Sequence, residues 1–461
     1  MLQLKTPKER SEIAHKLAGS YELVRCGAVT YRPAHFETGD TSVVPDPMET
    51  MWLPIDRTGL QRIARDEYQT LFGSEGDLSG FEFMVSQNCI QVDEPATTLL
   101  IRTKDGLRLL DRDGVLQDPT GKFVANTITP MLNDDADTKA EIMSTIAEWV
   151  DSEDEARALL RHLATSLAPG WSSVKYLLLL GEGRNGKSLL LKMIHALFGK
   201  HNVSNVTRQM ISEKSPAVLD LNGKLVNIVY DGQAEYLKDS GAEKTLIAGE
   251  PFPIRRLYDS TNTPVQTNCL WIEGLQQEPK SKDKSAALQK RLVRFQFPNV
   301  YPIDKAFEKK MLNEKHLGAF LSLLLEHYVH EDEIAEKLAP TQKAIALQLE
   351  HMYINSLALQ FIKHVEEDDP LGAEAFLVGK EMHEIVQTFQ SWRVKENDLG
   401  SWSEPDVMVQ LQPLLNTERK SKRDAGRIVK VRMVTSLKPE TKAFLDTMKG
   451  DESDAAAVVD D

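Results

Sequence analysis

Apolar positions along this chain change their period from one region to the next. Over residues 1–130 short apolar runs alternate with turn residues, and the spacing predicts strands over 21–29, 81–85, 98–102 and 107–110 and one helix over 60–71. Lys104-Asp105-Gly106, Asp113-Gly114 and Pro119-Thr120-Gly121 punctuate them. Residues 138–168 turn helical: Ile142, Ile146 and Val150 recur on one face. Ser152-Glu153-Asp154-Glu155 then has the form of a capping box opening a second helix that carries Ala156, Leu159, Leu160 and Leu163. Pro169-Gly170 ends this helical stretch.

Four consecutive leucines follow, Leu177 to Leu180, preceded by Val174 and Tyr176. A run this short and apolar at every position predicts a parallel strand buried on both faces. Residues 225–231 repeat the pattern after the turn Leu221-Asn222-Gly223-Lys224 and end on Asp231. A helix over 244–249, a long hairpin around the polar tip 259–264, and a helix end feeding a strand over 286–297 come next. Residues 304–350 read as mainly helical, with Leu317, Phe320, Leu321, Leu324 and Leu325 on one face. In residues 356–436, Leu357, Phe361 and Val365 mark one helix and Ile385, Phe389 and Trp392 another, with Trp402 and Val409 leading towards a third. The tail from Gly450 to Asp461 is acidic, lacks basic residues and reads as disordered.

Length and composition narrow the class. The 461 residues, 41% hydrophobic, suffice for about three domains with real cores. A net charge of −14 means that contact with a polyanion must come from local basic patches. The densest such patch is Arg419, Lys420, Lys422, Arg423, Arg427, Lys430 and Arg432, offset by Glu418 and Asp424, on a β-hairpin; clustered cations of this kind suit phosphate contacts. Cys26, Cys89 and Cys269 are odd in number and far apart, which suits a reducing compartment and buried thiols. No apolar run approaches membrane-spanning length, and residues 1–5 lack a signal-peptide core, so the expectation is a soluble cytoplasmic protein without membrane contact.

The candidate chemistry begins where the leucine run breaks. Gly181-Glu182-Gly183-Arg184-Asn185-Gly186-Lys187-Ser188 meets GxxxxGKS in full, between a strand and a helix. Such a loop turns backbone N–H groups onto an anion, its lysine reaches the β- and γ-phosphates, and its serine hydroxyl holds Mg²⁺. ATP and Mg²⁺ are the expected ligands, with Gly181, Gly183, Asn185, Gly186, Lys187 and Ser188 around the nucleotide. Asp231, at the tip of the strand expected beside the loop, would hold the metal's waters together with Ser188. Asp134, Asp135 and Asp137 read as a solvated turn, and His327 with His330 as ordinary surface or core histidines lacking a third metal ligand.

In this order the features resemble the superfamily 3 helicases, specifically the D5-like and P4-like replicative helicases of phages, plasmids and large DNA viruses. Gly183 to Ser188 is close to the family's GxNGKS loop, and Leu221 to Leu225 precedes the acidic strand as in the family. Residues 244–249 with Arg255 and Arg256 look like its B′ motif and DNA-gripping pore hairpin, and Arg291 stands where the family places its arginine finger. The resemblance implies an α/β fold with these parts: a mixed α/β region over 1–130, a helical collar over 131–170, and an AAA+-like P-loop ATPase core over 171–303. A helical connector over 304–350, a winged-helix-like domain over 351–440 and the acidic tail over 441–461 would complete it. It departs from the family in three places, of which one is the hairpin tip Asp259-Ser260-Thr261-Asn262, uncharged to acidic, which leaves the DNA grip to Arg255 and Arg256. Asp231 lacks an adjacent second acid, for which Glu235 is the candidate, and the sensor strand lacks its asparagine, for which Glu273 and Gln276 both stand as candidates.

The resemblance implies an ATP-driven replicative DNA helicase of a phage or mobile element, in the host cytoplasm. It would work as a homo-hexameric ring on single-stranded DNA, alongside primase or other replisome proteins. Lys187, Asp231, Glu235 and Arg291 would be catalytic, and Arg255, Arg256, Arg419, Lys420, Lys422, Arg423 and Arg427 would touch DNA. The single strand-end acid keeps a second expectation open, an origin-recognition or assembly protein controlled by nucleotide with little turnover. No nuclease or integrase carboxylate set supports a packaging or transposition ATPase, and no zinc-ribbon cysteines or paired acids support primase chemistry in residues 1–130.

Overall fold

Tyr176, Leu177, Leu178 and Leu179 are all fully buried, as a strand covered on both faces requires. In a computed structural model of the chain they lie in β1 (Tyr176–Leu180), within a five-stranded parallel sheet. Its other strands are β2 (Val203–Ser204), β3 (Val226–Val229), β4 (Leu270–Leu275) and β5 (Leu292–Gln296), in the order β2-β3-β4-β1-β5. The residues described are 3–26, 29–35, 50–55, 57–92, 99–119, 124, 126–168, 175–232, 241–255, 262–276, 291–354, 356–395, 403, 407–408, 411–412, 414–424, 427–439, 441–442 and 445. They fall into two compact units, Met1–Thr341 and Gln342–Asp461. Helix Gln342–Ile354 therefore belongs to the second unit, where the sequence suggested a connector running to 350.

Both faces of the sheet are apolar. Leu177, Leu179, Ile228, Ile272 and Phe295 pack into one cluster with helices α1 (Ala136–Val150), α2 (Glu153–Ala164) and α3 (Lys187–Phe198). Tyr176, Leu178, Trp271 and Leu275 pack on the opposite face with Leu246 and Ile247 of α4 (Gly241–Ile247). Helix starts follow their caps: the Asp135 side chain accepts from Thr138 N, and Ser152 Oγ from Glu155 N at 3.3 Å. Two helices, α5 (Lys305–Met311) and α6 (Glu314–Glu326), return the chain over the first face. The hairpin Phe252–Arg255/Asn262–Val265 stands outside the parallel sheet.

The N-terminal part carries two four-stranded sheets, Thr50–Pro54/Val29–His35/Val24–Cys26/Ile90–Val92 and Thr127–Ile128/Leu99–Thr103/Gly106–Leu110/Leu116–Gln117. The strand expected over 21–29 divides into two antiparallel pieces, Cys26 opposite Val29, and the helix expected over 60–71 is Arg57–Tyr68. Residues 81–85 are not a strand. They lie in helix Glu75–Asn88, capped by Ser74, because Leu78, Phe81 and Val85 repeat at helical spacing and are buried while Phe83 is 64% exposed. Helix Pro7–Ser20 was not expected either, although Thr6-Pro7-Lys8-Glu9 gives it a complete capping box with proline at its start.

In the second unit α7 (Leu357–Asp368), α8 (Gly372–Leu377) and α9 (Met382–Lys395) pack Phe361, Ile385 and Phe389 into one core. Against them lies an antiparallel hairpin of β6 (Leu415–Asp424) and β7 (Arg427–Leu437), joined to the α8–α9 turn through Gly379 N to Val434 O at 2.9 Å. Among the described residues no helix is long and apolar enough to cross a membrane.

A strand would set Phe81 and Phe83 on the same face, whereas a helix separates them. Phe81→Ala should therefore cost about 3–5 kcal/mol in urea unfolding of the whole chain and Phe83→Ala under about 0.5 kcal/mol. Equal losses from both would contradict the helix.

Candidate functional site

After Leu180 the chain turns through residues 181–186 into α3. The turn needs left-handed backbone, with φ +112° at Gly183, +53° at Arg184 and +89° at Gly186. Gly186 is constrained further, because a Cβ there would come within 2.5 Å of the Trp149 ring near the end of α1. The loop is tied down on its other side. Asn185 Nδ2 donates to Phe297 O at 3.1 Å, and Tyr301 N donates to Arg184 O at 2.7 Å.

Lys187 opens α3 and is 7% exposed. Its Nζ donates to Gly181 O at 2.5 Å and to Asn185 Oδ1 at 2.9 Å, so the free loop holds its own lysine. Burial pushes this ammonium down to about 8, opposed by the nearby Asp231 carboxylate. The first N–H groups of α3 have no intrahelical acceptor, and with Lys187 they form a seat for an anion.

A cleft of about 860 Å³ opens over the loop. Gly183 to Ser188, Asp231 and Gln276 line it, together with Ser144, Glu148 and Trp149 of α1 and with Tyr301, Pro302 and Phe307. This volume is in the range of sites that enclose a small organic ligand. Ser188 and Asp231 offer one hydroxyl and one carboxylate, which suits Mg²⁺ when phosphate oxygens and water complete its shell. Among the described residues no group of three or more His, Cys, Asp or Glu side chains would hold a metal on its own. His327 instead bonds Leu323 O at 2.9 Å, and Asp134 pairs with Lys139.

Asp231 is not on the strand beside the loop. β4 separates β3 from β1, and the acid reaches the cleft because the chain past β3 leans over the end of β4. Gly232 N donates to Gly274 O at 2.8 Å, and a Cβ at Gly274 would come within 2.8 Å of Tyr230 O. Tyr230, where a second acid would be adjacent, bonds His195 Nδ1 through its hydroxyl at 2.7 Å.

The two sensor candidates separate. Gln276 lines the cleft, whereas Glu273 faces the opposite side of β4 and is buried. There it accepts from Tyr176 OH at 3.1 Å and lies 4.0 Å from the Arg208 guanidinium, which bonds Glu243 of α4 at 2.8 Å. Burial works against the charge on Arg208, but Glu243 first, with Tyr176 and Glu273, raises its pKa overall. This closed set of polar groups fixes β4 to α4 and leaves Glu273 without access to the cleft.

Arg291 precedes β5 at the end of the sheet opposite the loop: its carbonyl accepts from Tyr176 N at 2.8 Å, while Leu180 pairs with Gln296. It therefore stands away from its own chain's cleft. Arg255 is exposed on the hairpin, across from Asn262. Glu235 and Arg256 lie outside the described residues. Arg419, Lys420 and Lys422 are exposed on β6, and the backbones of Arg423 and Arg427 continue the hairpin. Sequence reasoning missed Trp149 and Tyr301, whose roles depend on long-range packing; Trp149 looks like one more apolar residue of a helical stripe.

No family model matches the chain, and no curated protein matches it. Among solved structures it is similar to the A-form apo structure of the NrS-1 C-terminal region, with TM-score 0.47 and 12% identity over 94% of this chain and 100% of that one. It is also similar to an apo structure of the NrS-1 C-terminal region at TM-score 0.43 and 13% identity over the same shares. A further A-form apo structure of that region gives 0.44 and 12%, over 93% and 99%. With TM-scores below 0.5 these likenesses assign nothing to the residues of this chain.

Gly186→Ala should unfold at a lower temperature than Gly183→Ala in calorimetry. Both substitutions strain the backbone by about 1–2 kcal/mol, but only the first also collides with a ring, since nothing lies within 4 Å of a Cβ at Gly183. Equal melting points would contradict the packing of Trp149 on the loop.

Proposed function

We propose that this chain is an ATP-dependent motor of the superfamily 3 type, a DNA helicase that works as a ring. The observation that carries the reading is the convergence of the glycine loop, Lys187, Ser188, Asp231 and Gln276 on one cleft at the carboxyl ends of β1, β3 and β4. The α7–α9 bundle with its hairpin supports a winged-helix-like partner unit.

In this mechanism Lys187 leaves Gly181 O and Asn185 Oδ1 for the phosphates, and the N–H groups of the loop and α3 take the remaining charge. Ser188 and Asp231 would hold Mg²⁺, which supplies neutralisation of the β- and γ-phosphate oxygens. Gln276 would stand in for the sensor asparagine, and Arg291, remote from its own cleft, suits the site of a neighbouring subunit. Purified protein should hydrolyse ATP, faster with single-stranded DNA, and Lys187→Ala should abolish both rates. Arg291→Ala should lower the activity of mixed rings more than in proportion to its share of subunits. Absence of turnover with the wild-type chain would sink the motor reading.

One observation favours a second reading. The position adjacent to Asp231 is Tyr230, engaged with His195, so a single acid ends β3, which suits a protein whose assembly depends on bound ATP with little hydrolysis. Nucleotide-dependent assembly without turnover, seen by light scattering, is its signature.

Below pH 8 the free lysine is charged and binding moves no proton; above it, the neutral lysine must gain one to meet a triphosphate. Nucleotide affinity should therefore fall as pH rises above about 8, by up to about tenfold per unit. Calorimetry in buffers of different ionisation heat should show proton uptake at pH 8.5, and Lys187→Arg should remove it. An affinity that stays flat from pH 7 to 9.5 would contradict this role.

A further inference from the structure

We propose that the second unit grips the phosphodiester backbone of single-stranded nucleic acid on one face of its hairpin only, the face bearing Arg419, Lys430 and Arg432. The lysines of the other face, Lys420 and Lys422, take no part. The inference rests on the reading of the chain as a DNA-handling protein and is independent of its ATP cleft.

The register of β6 and β7 sorts the cations. Arg419 is directly opposite Arg432, and Ser421 opposite Lys430, so these three positive side chains share one face. Lys420 and Lys422 alternate onto the other. There Lys420 pairs with Glu418 at 2.5 Å and Lys422 pairs with Glu381. Arg419, Lys430 and Arg432 have no carboxylate partner among the described residues. Like charges set directly across an antiparallel pair repel and destabilise it, so the Arg419–Arg432 pair gains most from a bound anion.

The face borders a groove of about 500 Å³ shared with His383, Met408 and Gln412. Glu381 also lines the groove, with its carboxylate held by Lys422. Further along the same face Val434 is buried in the helical core, so only the cationic stretch is open. Successive cations along the strands are spaced by about 7 Å, a step suited to neighbouring phosphates of an extended strand. Two guanidinium groups side by side favour the planar, bidentate geometry of phosphate oxygens. A protein partner would call for an apolar centre to the patch, and of the groove's apolar residues, Met382, Met408 and Val431, the first is itself buried in the helical core.

The test uses the full chain without nucleotide and a labelled oligothymidine, read by fluorescence anisotropy over a range of salt. Arg419→Gln with Arg432→Gln should weaken binding about tenfold or more and lower the salt slope by about 1.4, two phosphate contacts' worth. Lys420→Gln with Lys422→Gln should change affinity by less than about twofold, and Arg419→Lys with Arg432→Lys should restore much of the loss. Equal losses from the two glutamine pairs, or loss confined to the lysine pair, would overturn the assignment. So would displacement by inorganic phosphate at matched ionic strength, or by polyglutamate, as effective as by unlabelled oligonucleotide. A wild-type chain that binds no oligonucleotide overturns this inference and the helicase reading together. DNA binding of the expected pattern without ATP turnover overturns only the motor.

Discussion

The residues of β1 from Tyr176 to Leu179 have apolar neighbours above and below, and this two-sided burial governs where chemistry can occur in the first unit. An unpaired polar group on either face of such a sheet would be stripped of water without compensation. Four polar groups packed there pair with one another: Arg208, Glu243, Glu273 and Tyr176. Groups that face the cleft are left to the strand ends. The loop after β1, the acid after β3 and Gln276 after β4 all emerge at one such end, and Arg291 at the other.

What was legible in the sequence was local. The leucine run, the glycine spacing, the two capped helices over 136–164 and the hairpin at Lys104-Asp105-Gly106 each follow from a few adjacent residues. What was illegible depended on partners far along the chain. Nothing near Glu273 or Gln276 tells which one meets the cleft, because strand alternation alone cannot say which face of β4 carries Arg208. The place of Asp231 was equally hidden: its strand is one removed from the loop strand, and only the missing side chains of Gly232 and Gly274 let it lean back. Residues 81–85 were misread for a different reason. Their local composition favours strand, and the deciding signal, Leu78 to Phe81 to Val85, is spread over two helical turns.

The second unit shows how a cluster of like charges changes meaning once its register is known. As a sequence, residues 419–432 are a single basic patch. As a hairpin they are two surfaces, one neutralised by Glu418 and Glu381 and one with its cations collected along a groove. Counting lysines and arginines does not distinguish a solvated edge from a surface that holds an anion; pairing across the strands does.

The Trp149 ring against Gly186 has a consequence for how this chain divides. The loop and its sheet begin near residue 175, yet one wall of the cleft is Ser144, Glu148 and Trp149, contributed by a helix that ends before the sheet starts. Tyr301 OH and Asn299 Nδ2 donate to the Glu148 carbonyl of that helix, at 2.8 and 2.9 Å. The segment that carries the loop is therefore not a portable cassette. A fragment beginning near residue 170 would keep the glycine signature intact and lack the helix surface that packs on Gly186 and walls the cleft.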